Sequence, residues 1–261
     1  MKLKRCLRWL TIGVFIVANY GKSSWGFLPM GASRRANKPG VLYYSGDKKV
    51  KQVALTFDDG PCDPYTGQIL DVLKAENVKA TFFMVGKHVL AHPMMAKRVV
   101  MEGHAVGNHT FSHFDYRLLT RGRIRKDIFR CQSAIEGVTG VRPILFRPPH
   151  GWLSAYIMRV AKEMGFVTVQ WSLSPRDWRR PPGEKIVRRI VQNVHNGSII
   201  LLHDGVSDRD AGDRSQTVKA LPELIESLRA EGYEFVTVPE LLKLELPEVQ
   251  TAELNLINSP A

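Results

Sequence analysis

Short apolar runs alternate with amphipathic stretches over most of the chain. The apolar runs are rich in β-branched and aromatic residues and predict seven strands, over residues 52–57, 80–85, 105–108, 144–146, 166–173, 198–202 and 233–238. Between them, apolar residues recur at helical spacing and predict helices, among them 88–102, 121–139, 154–164 and 184–194. Strands that alternate with helices favour a parallel α/β fold, either a barrel or an open sheet.

The two ends of the chain do not follow this pattern. Residues 1–26 begin with basic side chains and continue into a short apolar stretch, which is typical of a secretory signal. This stretch is shorter than the roughly 20 apolar residues that span a bilayer, and an uncleaved membrane anchor is the alternative. We predict a linker over residues 27–48, a folded domain over 49–246 and a peripheral tail over 247–261. We therefore expect an exported protein (secreted, periplasmic or at the cell surface) that touches a membrane only through an uncleaved N-terminal segment.

The charge distribution argues against a nucleic-acid partner. The chain has 37 Lys and Arg against 25 Asp and Glu, a formal net charge of +12, which by itself suggests a polyanionic partner. However, residues 1–51 hold eleven basic residues and one acidic residue, and so carry +10 of that +12. The folded domain is close to neutral, so we expect no nucleic-acid partner.

The cysteines limit the chemistry further. The chain has only Cys6, Cys62 and Cys131, which do not make a disulfide framework. No CxxC pair occurs, which argues against a zinc site built from thiolates. A disulfide between Cys62 and Cys131 after export stays open.

Two motifs at predicted strand ends carry metal-ligand chemistry. In parallel α/β folds, functional residues gather at the carboxyl ends of the strands. Asp58 and Asp59 end the first strand, and His109 and His113 follow the third, four residues apart on what would be one helical turn. With Asp59 these histidines would make a three-ligand His₂Asp site that leaves a position for water, as catalytic zinc sites do. Taken alone, a polar turn and a pair of surface histidines are the ordinary interpretations.

Three further strand ends carry candidate catalytic and binding groups. Arg147 can hold a carboxylate, and the two prolines before His150 stiffen a loop whose main-chain N–H can face an oxyanion. Asp177 is a candidate supporting carboxylate and Trp178 a candidate sugar-stacking wall, while His203, after an apolar strand, is a candidate general acid. Each has a structural interpretation by itself, but five such motifs at strand ends are hard to explain by chance.

Together these motifs resemble the polysaccharide deacetylases with a NodB homology domain, carbohydrate esterase family 4. The resemblance runs from Gln52 to Leu242 and is carried, in order, by TFDDGP, HTFSH, RPPHG, SPRDW and LLHD. It implies a distorted (β/α) barrel of about seven parallel strands. It also implies metal-dependent removal of N- or O-acetyl groups from carbohydrate. For N-acetyl groups this is the hydrolysis of a non-peptide carbon–nitrogen bond.

The resemblance also implies roles for the residues at the centre of the site. Asp59, His109 and His113 would bind one divalent ion, with zinc first and cobalt or nickel as alternatives. Asp58 would be the catalytic base and His203 the catalytic acid.

Five further residues take supporting roles by the same resemblance. Arg147 would orient Asp58, and Asp177 would support the catalytic acid. The main-chain N–H of His150 would bind the oxyanion, and Leu201 or Leu202 would help form the pocket for the acetyl methyl group. Two positions depart from the family pattern: His150 stands where a tyrosine is usual, and Ser174 where an aspartate is frequent.

We therefore expect a deacetylase of N-acetylated glycans built from GlcNAc units. The predicted export signal favours peptidoglycan as the substrate, with chitin-like oligomers as the next candidate. The alternative is a non-catalytic glycan-binding surface protein, which predicts a broken set of metal or acid–base residues.

Overall fold

Residues 39–205 and 212–245 are described by the computed structural model. The predicted signal segment, the predicted tail and residues 27–38 of the predicted linker lie outside these ranges. Among the helices within them, none combines the length and the apolar composition that a membrane span requires.

Eight strands within the described residues form one sheet. They are β1 (Leu42–Tyr43), β2 (Gln52–Asp58), β3 (Thr81–Met84), β4 (Ala105–Asn108), β5 (Leu145–Phe146), β6 (Val167–Val169), β7 (Ser198–His203) and β8 (Glu234–Phe235). The order across the sheet is β1-β6-β5-β4-β3-β2-β7, β8 pairs with β2, and the strand pairs are all parallel. All seven predicted strands are present. The additional strand, β1, lies in the predicted linker and is too short to give a periodic signal.

The two ends of the sheet approach each other through single bridges. Leu173, just after β6, pairs with Ile200 on β7, and Ser45, just after β1, pairs with Ser198 at the start of β7. The strands therefore curve into a distorted (β/α) barrel, as predicted from the resemblance.

Helices follow most of the strands, as the alternation predicts. They are α1 (Tyr65–Ala75), α2 (Gly86–Ala91), α3 (Pro93–Met101), α4 (Arg121–Thr139), α5 (Ala155–Glu163), α6 (Gly183–Val191), α7 (Ser215–Ala230) and α8 (Val238–Leu241). The prediction of one helix over residues 88–102 is wrong. The chain breaks at His92 (φ −127°, ψ 58°) because Pro93 lacks an N–H and disfavours helical backbone in the residue before it.

The strands are mostly apolar because both of their faces are buried. On β2, Val53, Leu55 and Phe57 belong to the core that packs against α1, α6 and α7. Ala54 faces the other way and packs with Phe83 in a second core, among residues of β5, β6 and β7. From Val53 to Asp58 both faces of β2 are buried, and its two carboxylates stand only at the end of the strand and in the turn that follows.

The register then aligns those ends. Asp58 on β2 pairs with His203 on β7. Asn108 on β4 pairs with Phe146 on β5, one residue before the segment that begins at Arg147. Residues far apart in the sequence therefore meet at one edge of the barrel.

Candidate active site and metal centre

The chain turns sharply where β2 ends. Asp59 has a left-handed backbone (φ 77°), which a non-glycine residue adopts only where its surroundings impose it. The turn is held from the end of β7: the Gly60 N–H donates to Oδ1 of Asp204 at 3.1 Å. Gly205 packs so closely that a Cβ there would lie 2.1 Å from the main-chain oxygen of Asp59. The turn gives the adjacent carboxylates of Asp58 and Asp59 different partners.

The two candidate ligand histidines lie on an irregular loop after β4. The prediction of a helical turn between them is wrong, because Thr110 (φ 71°) and His113 (φ 57°) have left-handed backbones. The Thr110 N–H donates to the Asn108 side chain at 2.8 Å, and the His113 N–H donates to the Thr110 hydroxyl at 3.2 Å. Such local bonds compete with helix formation. The loop still brings the rings of His109 and His113 to a centroid distance of 4.9 Å.

Asp59, His109 and His113 form a buried group with the geometry of a metal site. One ligand atom from each residue lies within 4.8 Å of the other two. Oδ1 of Asp59 lies 3.0 Å from Nε2 of His113 and 3.5 Å from Nε2 of His109. The three residues are between 2 and 7 % exposed, so water contributes little to their solvation.

Two further observations fit a bound cation. Oδ1 of Asp59 is buried, and among the described residues no N–H or O–H is aligned to donate to it. Nδ1 of His109 lies 2.7 Å from the main-chain oxygen of Arg147, which fixes the hydrogen on Nδ1 and leaves the Nε2 lone pair facing Asp59. Histidine ligands of metals are usually oriented in this way.

The charges of the group favour the ionised carboxylate. Burial alone would raise the pKa of Asp59, but attraction to the two imidazoles outweighs it, and the pKa lies well below 3.8. Burial would lower the pKa of His109, but the charges of Asp58 and Asp59 raise it above 6.5. The site therefore attracts positive charge, as protons or as a metal ion.

A fully buried arginine holds the candidate base. Nη1 of Arg147 lies 2.7 Å from Oδ1 of Asp58. The same guanidinium donates to the Thr56 hydroxyl at 2.9 Å and to the main-chain oxygens of Val169 and Gln170 at 3.1 and 3.0 Å. The charge is thus compensated within the barrel, and Oδ2 of Asp58 is left facing His109 at 3.6 Å. This is the pairing that the resemblance implies.

The candidate acid is held by a buried carboxylate from the SPRDW loop. Nδ1 of His203 lies 2.9 Å from Oδ1 of Asp177, whose Oδ2 accepts the main-chain N–H of His203 at 2.8 Å and the Thr217 hydroxyl at 3.1 Å. Burial would lower the pKa of His203, but Asp177, and then Asp59 and Asp58, raise it to about 9. The imidazole is therefore protonated at neutral pH and can donate a proton from Nε2.

The remaining predicted residues surround this centre. His150 follows two prolines with a left-handed backbone (φ 56°), and its ring lies edge-on to His113 at a centroid distance of 4.8 Å. The Trp178 ring lies edge-on to His203 at 5.4 Å and is 36 % exposed. Both side chains therefore border the candidate metal and acid groups.

The structure separates the two leucines that were predicted together. Leu202 is fully buried in the core between sheet and helices. Leu201 lies two residues before His203 and, because side chains alternate along a strand, shares its face of β7. Of the pair, Leu201 is therefore the one whose side chain lies on the same face of β7 as His203.

Sequence reasoning gave no role to three residues that support the site. Nδ1 of His88 donates to the main-chain oxygen of Asp59 at 2.6 Å. Asp204 accepts from Gly60 and from the Thr66 hydroxyl, and burial raises its pKa to about 7. Thr217 binds Asp177 from α7. Only Asp204, inside the LLHD motif, carried a local signal, because the other two contacts join segments far apart in sequence.

The two cysteines of the described residues are free thiols, Cys62 half-buried and Cys131 buried. Cys131 lies in the core, with Sγ 3.3 Å from the main-chain oxygen of Met84. Neither is a ligand of the Asp59 group.

Comparison with protein families and curated sequences identifies relatives over most of the chain. A family model described as polysaccharide deacetylase matches residues 45–169. A peptidoglycan-N-acetylglucosamine deacetylase of Bacillus cereus is 44 % identical over 206 residues, which cover 78 % of this chain and 94 % of that protein. A chitooligosaccharide deacetylase of Bradyrhizobium is 36 % identical over 82 % of this chain and 98 % of that protein.

Solved structures give the same grouping. The crystal structure of a peptidoglycan N-acetylglucosamine deacetylase in complex with 4-naphthalen-1-yl-N-oxidanyl-benzamide has a TM-score of 0.75 and 34 % identity, covering 81 % of this chain and 96 % of that one. A CE4 family pseudoenzyme from Bacillus anthracis has a TM-score of 0.71 and 29 % identity, covering 77 % of this chain and 69 % of that one. The shared fold therefore includes both active and inactive members.

Proposed function

This chain belongs to the polysaccharide deacetylases of carbohydrate esterase family 4, hydrolases of N-acetyl amide bonds in glycans, and we propose that it deacetylates the N-acetylglucosamine units of peptidoglycan with Asp58 as base and His203 as acid. The observation that supports this most directly is the register of β2 and β7. It aligns the base and the acid on neighbouring strands, beside the group formed by Asp59, His109 and His113. The peptidoglycan deacetylases among the relatives support the choice of substrate.

We propose that Asp59, His109 and His113 hold the divalent metal ion on which the family depends. Two imidazoles and one carboxylate are a common ligand set for catalytic zinc, and cobalt or nickel can occupy the same set. When bound, such an ion polarises the amide carbonyl and lowers the pKa of bound water. The buried, undonated oxygen of Asp59 and the orientation of His109 support this assignment.

Asp58 accepts the proton on Oδ2, the oxygen that Arg147 does not bind. Arg147 holds Oδ1 of Asp58, so the proton of the attacking water passes to Oδ2 as the water oxygen bonds to the acetyl carbon. The buried guanidinium fixes the orientation of the carboxylate. His150 and its stiff loop contribute the main-chain N–H that faces the developing oxyanion.

The acid completes the reaction. Nδ1 of His203 is held by Asp177, so the proton is donated from Nε2 to the glucosamine nitrogen as the carbon–nitrogen bond breaks. The products are acetate and a free amine. Leu201 would contact the acetyl methyl group, and Trp178 would form one wall for the sugar.

Acetate release from purified peptidoglycan tests the proposal. We expect Asp58→Asn and His203→Ala each to lower kcat by about 10²–10⁴-fold, the usual contribution of one acid or base. Asp63→Asn, at an exposed position four residues after Asp59, is the matched control and should keep full activity. Full activity in both site variants would refute the assigned roles. Glycan binding without metal-dependent acetate release would favour a non-catalytic protein like the known pseudoenzyme.

We also propose that the protein works outside the cytoplasm. The support is the basic start and apolar stretch of residues 1–26, which hold five basic residues and no acidic one. N-terminal sequencing of protein recovered from the medium and from washed membranes distinguishes a cleaved signal from an anchor. Recovery in the cytoplasmic fraction alone would contradict the proposal.

A further inference from the structure

Two consecutive residues of α4 hold the loop after β4 that carries both candidate histidine ligands. The main-chain oxygen of Ile128 accepts a hydrogen bond from the Asn108 side chain at 2.9 Å, and Oδ1 of Asp127 accepts one from the Ser112 hydroxyl at 2.8 Å. Asn108 and Ser112 are the residues that directly precede the two histidines. One short segment of helix therefore fixes the chain just ahead of each ligand.

The carboxyl group of Asp127 is directed entirely at this loop. It is buried, and its Oδ2 lies 3.4 Å from the Ser112 nitrogen and 3.4 Å from the Tyr116 hydroxyl oxygen. Among the described residues, the donors that reach its two oxygens all belong to residues 112–116. Burial and the nearby Asp127 raise the pKa of Tyr116 well above 10, so its hydroxyl keeps the proton that it can donate.

The segment that ends at His113 depends on this contact more than the start of the loop does. The N–H groups of Gly86 and Lys87 donate to the main-chain oxygens of Thr110 and Phe111, and so attach the first part of the loop to α2. The main-chain N–H of His113 is bonded within the loop, to the Thr110 hydroxyl. Between residues 111 and 113, the described hydrogen bonds that join the loop to another element are those of residue 112 with Asp127.

His113 also has a conformation that needs support. Its backbone is left-handed (φ 57°), as is that of Thr110 (φ 71°). For residues other than glycine this costs free energy and persists only where the surroundings impose it. Because Nε2 of His113 lies 3.0 Å from Oδ1 of Asp59, relaxation of this backbone would move the ring away from its partner in the ligand group.

We propose that Asp127 is a positioning residue of the metal centre, which acts through Ser112 to hold His113 in its ligand orientation. The inference rests on the proposed metal centre and deepens it, because it assigns part of the metal affinity to a helix that contributes no ligand. A ligand that is held in place before the ion arrives loses less conformational freedom on binding. Groups that orient metal ligands therefore contribute to metal affinity without touching the metal.

Zinc binding to the metal-free protein tests this by competition with a chromophoric chelator. We expect Asp127→Ala to raise the Kd for zinc by at least about tenfold, the lower end of the usual effect of removing a group that orients a metal ligand. Asp127→Asn keeps an oxygen acceptor for the Ser112 hydroxyl in a side chain of the same size, and should restore most of the affinity. The visible absorption of the cobalt-loaded protein, which depends on how the ligands are arranged, should change in Asp127→Ala. An unchanged Kd in Asp127→Ala would overturn the inference.

A double variant tests the route through Ser112. Ser112→Ala should also weaken zinc binding, and the variant that carries both Asp127→Ala and Ser112→Ala should bind zinc no more weakly than the weaker single variant. The reason is that both substitutions remove the same contact. Losses that multiply in the double variant would mean that the two residues act independently, and would overturn the route.

Two substitutions further along α4 are the controls. Glu136→Gln removes a carboxylate that pairs with Arg142, and Ile135→Ala truncates a side chain in the core between sheet and helices. Neither residue contacts the loop in the described hydrogen bonds, so both variants should bind zinc like the wild type, although Ile135→Ala should lower Tm. An equal loss of zinc affinity in Ile135→Ala would show that affinity only follows overall stability, and would overturn the inference.

The outcomes for the wild type separate this inference from the proposed function. A wild-type protein that binds zinc and releases acetate, with the same Kd in Asp127→Ala, would overturn the inference and leave the proposed function intact. A wild-type protein that binds none of zinc, cobalt and nickel would refute the proposed metal centre and this inference with it. Both the Kd and the cobalt spectrum are measured without substrate, so neither depends on which glycan the enzyme accepts.

Discussion

Replacing Asp177 by asparagine isolates the charge that keeps His203 protonated. The carboxylate lies 2.9 Å from Nδ1 of His203 and is the largest influence that raises the pKa of the imidazole to about 9. Asparagine keeps the size of the side chain and removes its charge. Because one oxygen of Asp177 already accepts from the His203 main chain and from Thr217, the amide oxygen should keep those donors and turn its NH₂ group toward Nδ1. An N–H facing Nδ1 disfavours the imidazolium further.

The size of the effect follows from the two pKa values. The shift from 6.5 to about 9 corresponds to roughly 3 kcal/mol in favour of the protonated form, at about 1.4 kcal/mol per pKa unit. Asp59 and Asp58 contribute part of this, so we expect the variant's pKa to fall to about 7 rather than further. At pH 8 about nine tenths of the wild-type imidazole is then protonated against about one tenth in the variant, while at pH 6 both are mostly protonated.

The assay is the pH profile of kcat/KM for acetate release between pH 5 and 10. In the wild type we expect activity to fall as the pH rises through about 9, where His203 loses its proton. In Asp177→Asn the fall should begin about two pH units lower, so that activity drops about tenfold at pH 8 and much less at pH 6. Thr217→Val, which removes one hydrogen bond to Asp177 but keeps the carboxylate, is the control and should shift the profile little. An equal loss at every pH, with an unmoved alkaline limb, would refute the electrostatic role of Asp177 and leave only a structural one.

Three further predictions follow from buried groups. Asp59→Ala should abolish stoichiometric zinc binding, as measured by atomic absorption of protein dialysed against zinc. The control Asp63→Asn should bind about one ion per chain, like the wild type. Zinc retained by Asp59→Ala would contradict the ligand assignment. Arg147→Met leaves Asp58 buried without its partner and should lower the free energy of unfolding, measured in urea, by about 3–5 kcal/mol. A loss below about 1 kcal/mol would contradict this and show that water reaches the site. His104 accepts the Ala80 N–H on Nδ1, and burial lowers its pKa to about 4. Because the unfolded chain takes up a proton below pH 6.5 and the folded chain does so only near 4, stability should fall by up to roughly 3 kcal/mol between these pH values. His104→Asn, which keeps an acceptor for Ala80, should remove that part of the acid dependence, and an identical pH profile of unfolding would contradict it.

The strands could be predicted because their burial is uniform. On β2 and β7 every position from Val53 to Phe57 and from Ile199 to Leu202 is buried, so the sequence there is apolar except for Thr56. β1 could not be found in this way, because a two-residue strand shows no pattern. The break at Pro93 had a visible signal, since proline cannot continue a helix from the residue before it.

The candidate site was predictable as a set of residues but not as a geometry. The set could be predicted because parallel strands bring their carboxyl ends to one edge of the barrel, so side chains that follow these ends lie close together. The loop from His109 to His113 was assigned the wrong local shape, because its hydrogen bonds involve side chains and left-handed residues that spacing does not reveal. The contacts of His88 with Asp59 and of Thr217 with Asp177 depend on how distant segments pack, which no local pattern records.

The pairing of Asp58 with His203 across β2 and β7 also determines where the chain tolerates changes in length. A single residue inserted within either strand would turn every later side chain of that strand to the opposite face, and the base and the acid would no longer meet. A residue inserted between α4 and β5, at positions 140–144, would leave both strands in register and change only a surface connection. Among natural variants of this enzyme, insertions and deletions should therefore be frequent in such connections and rare inside β2 and β7.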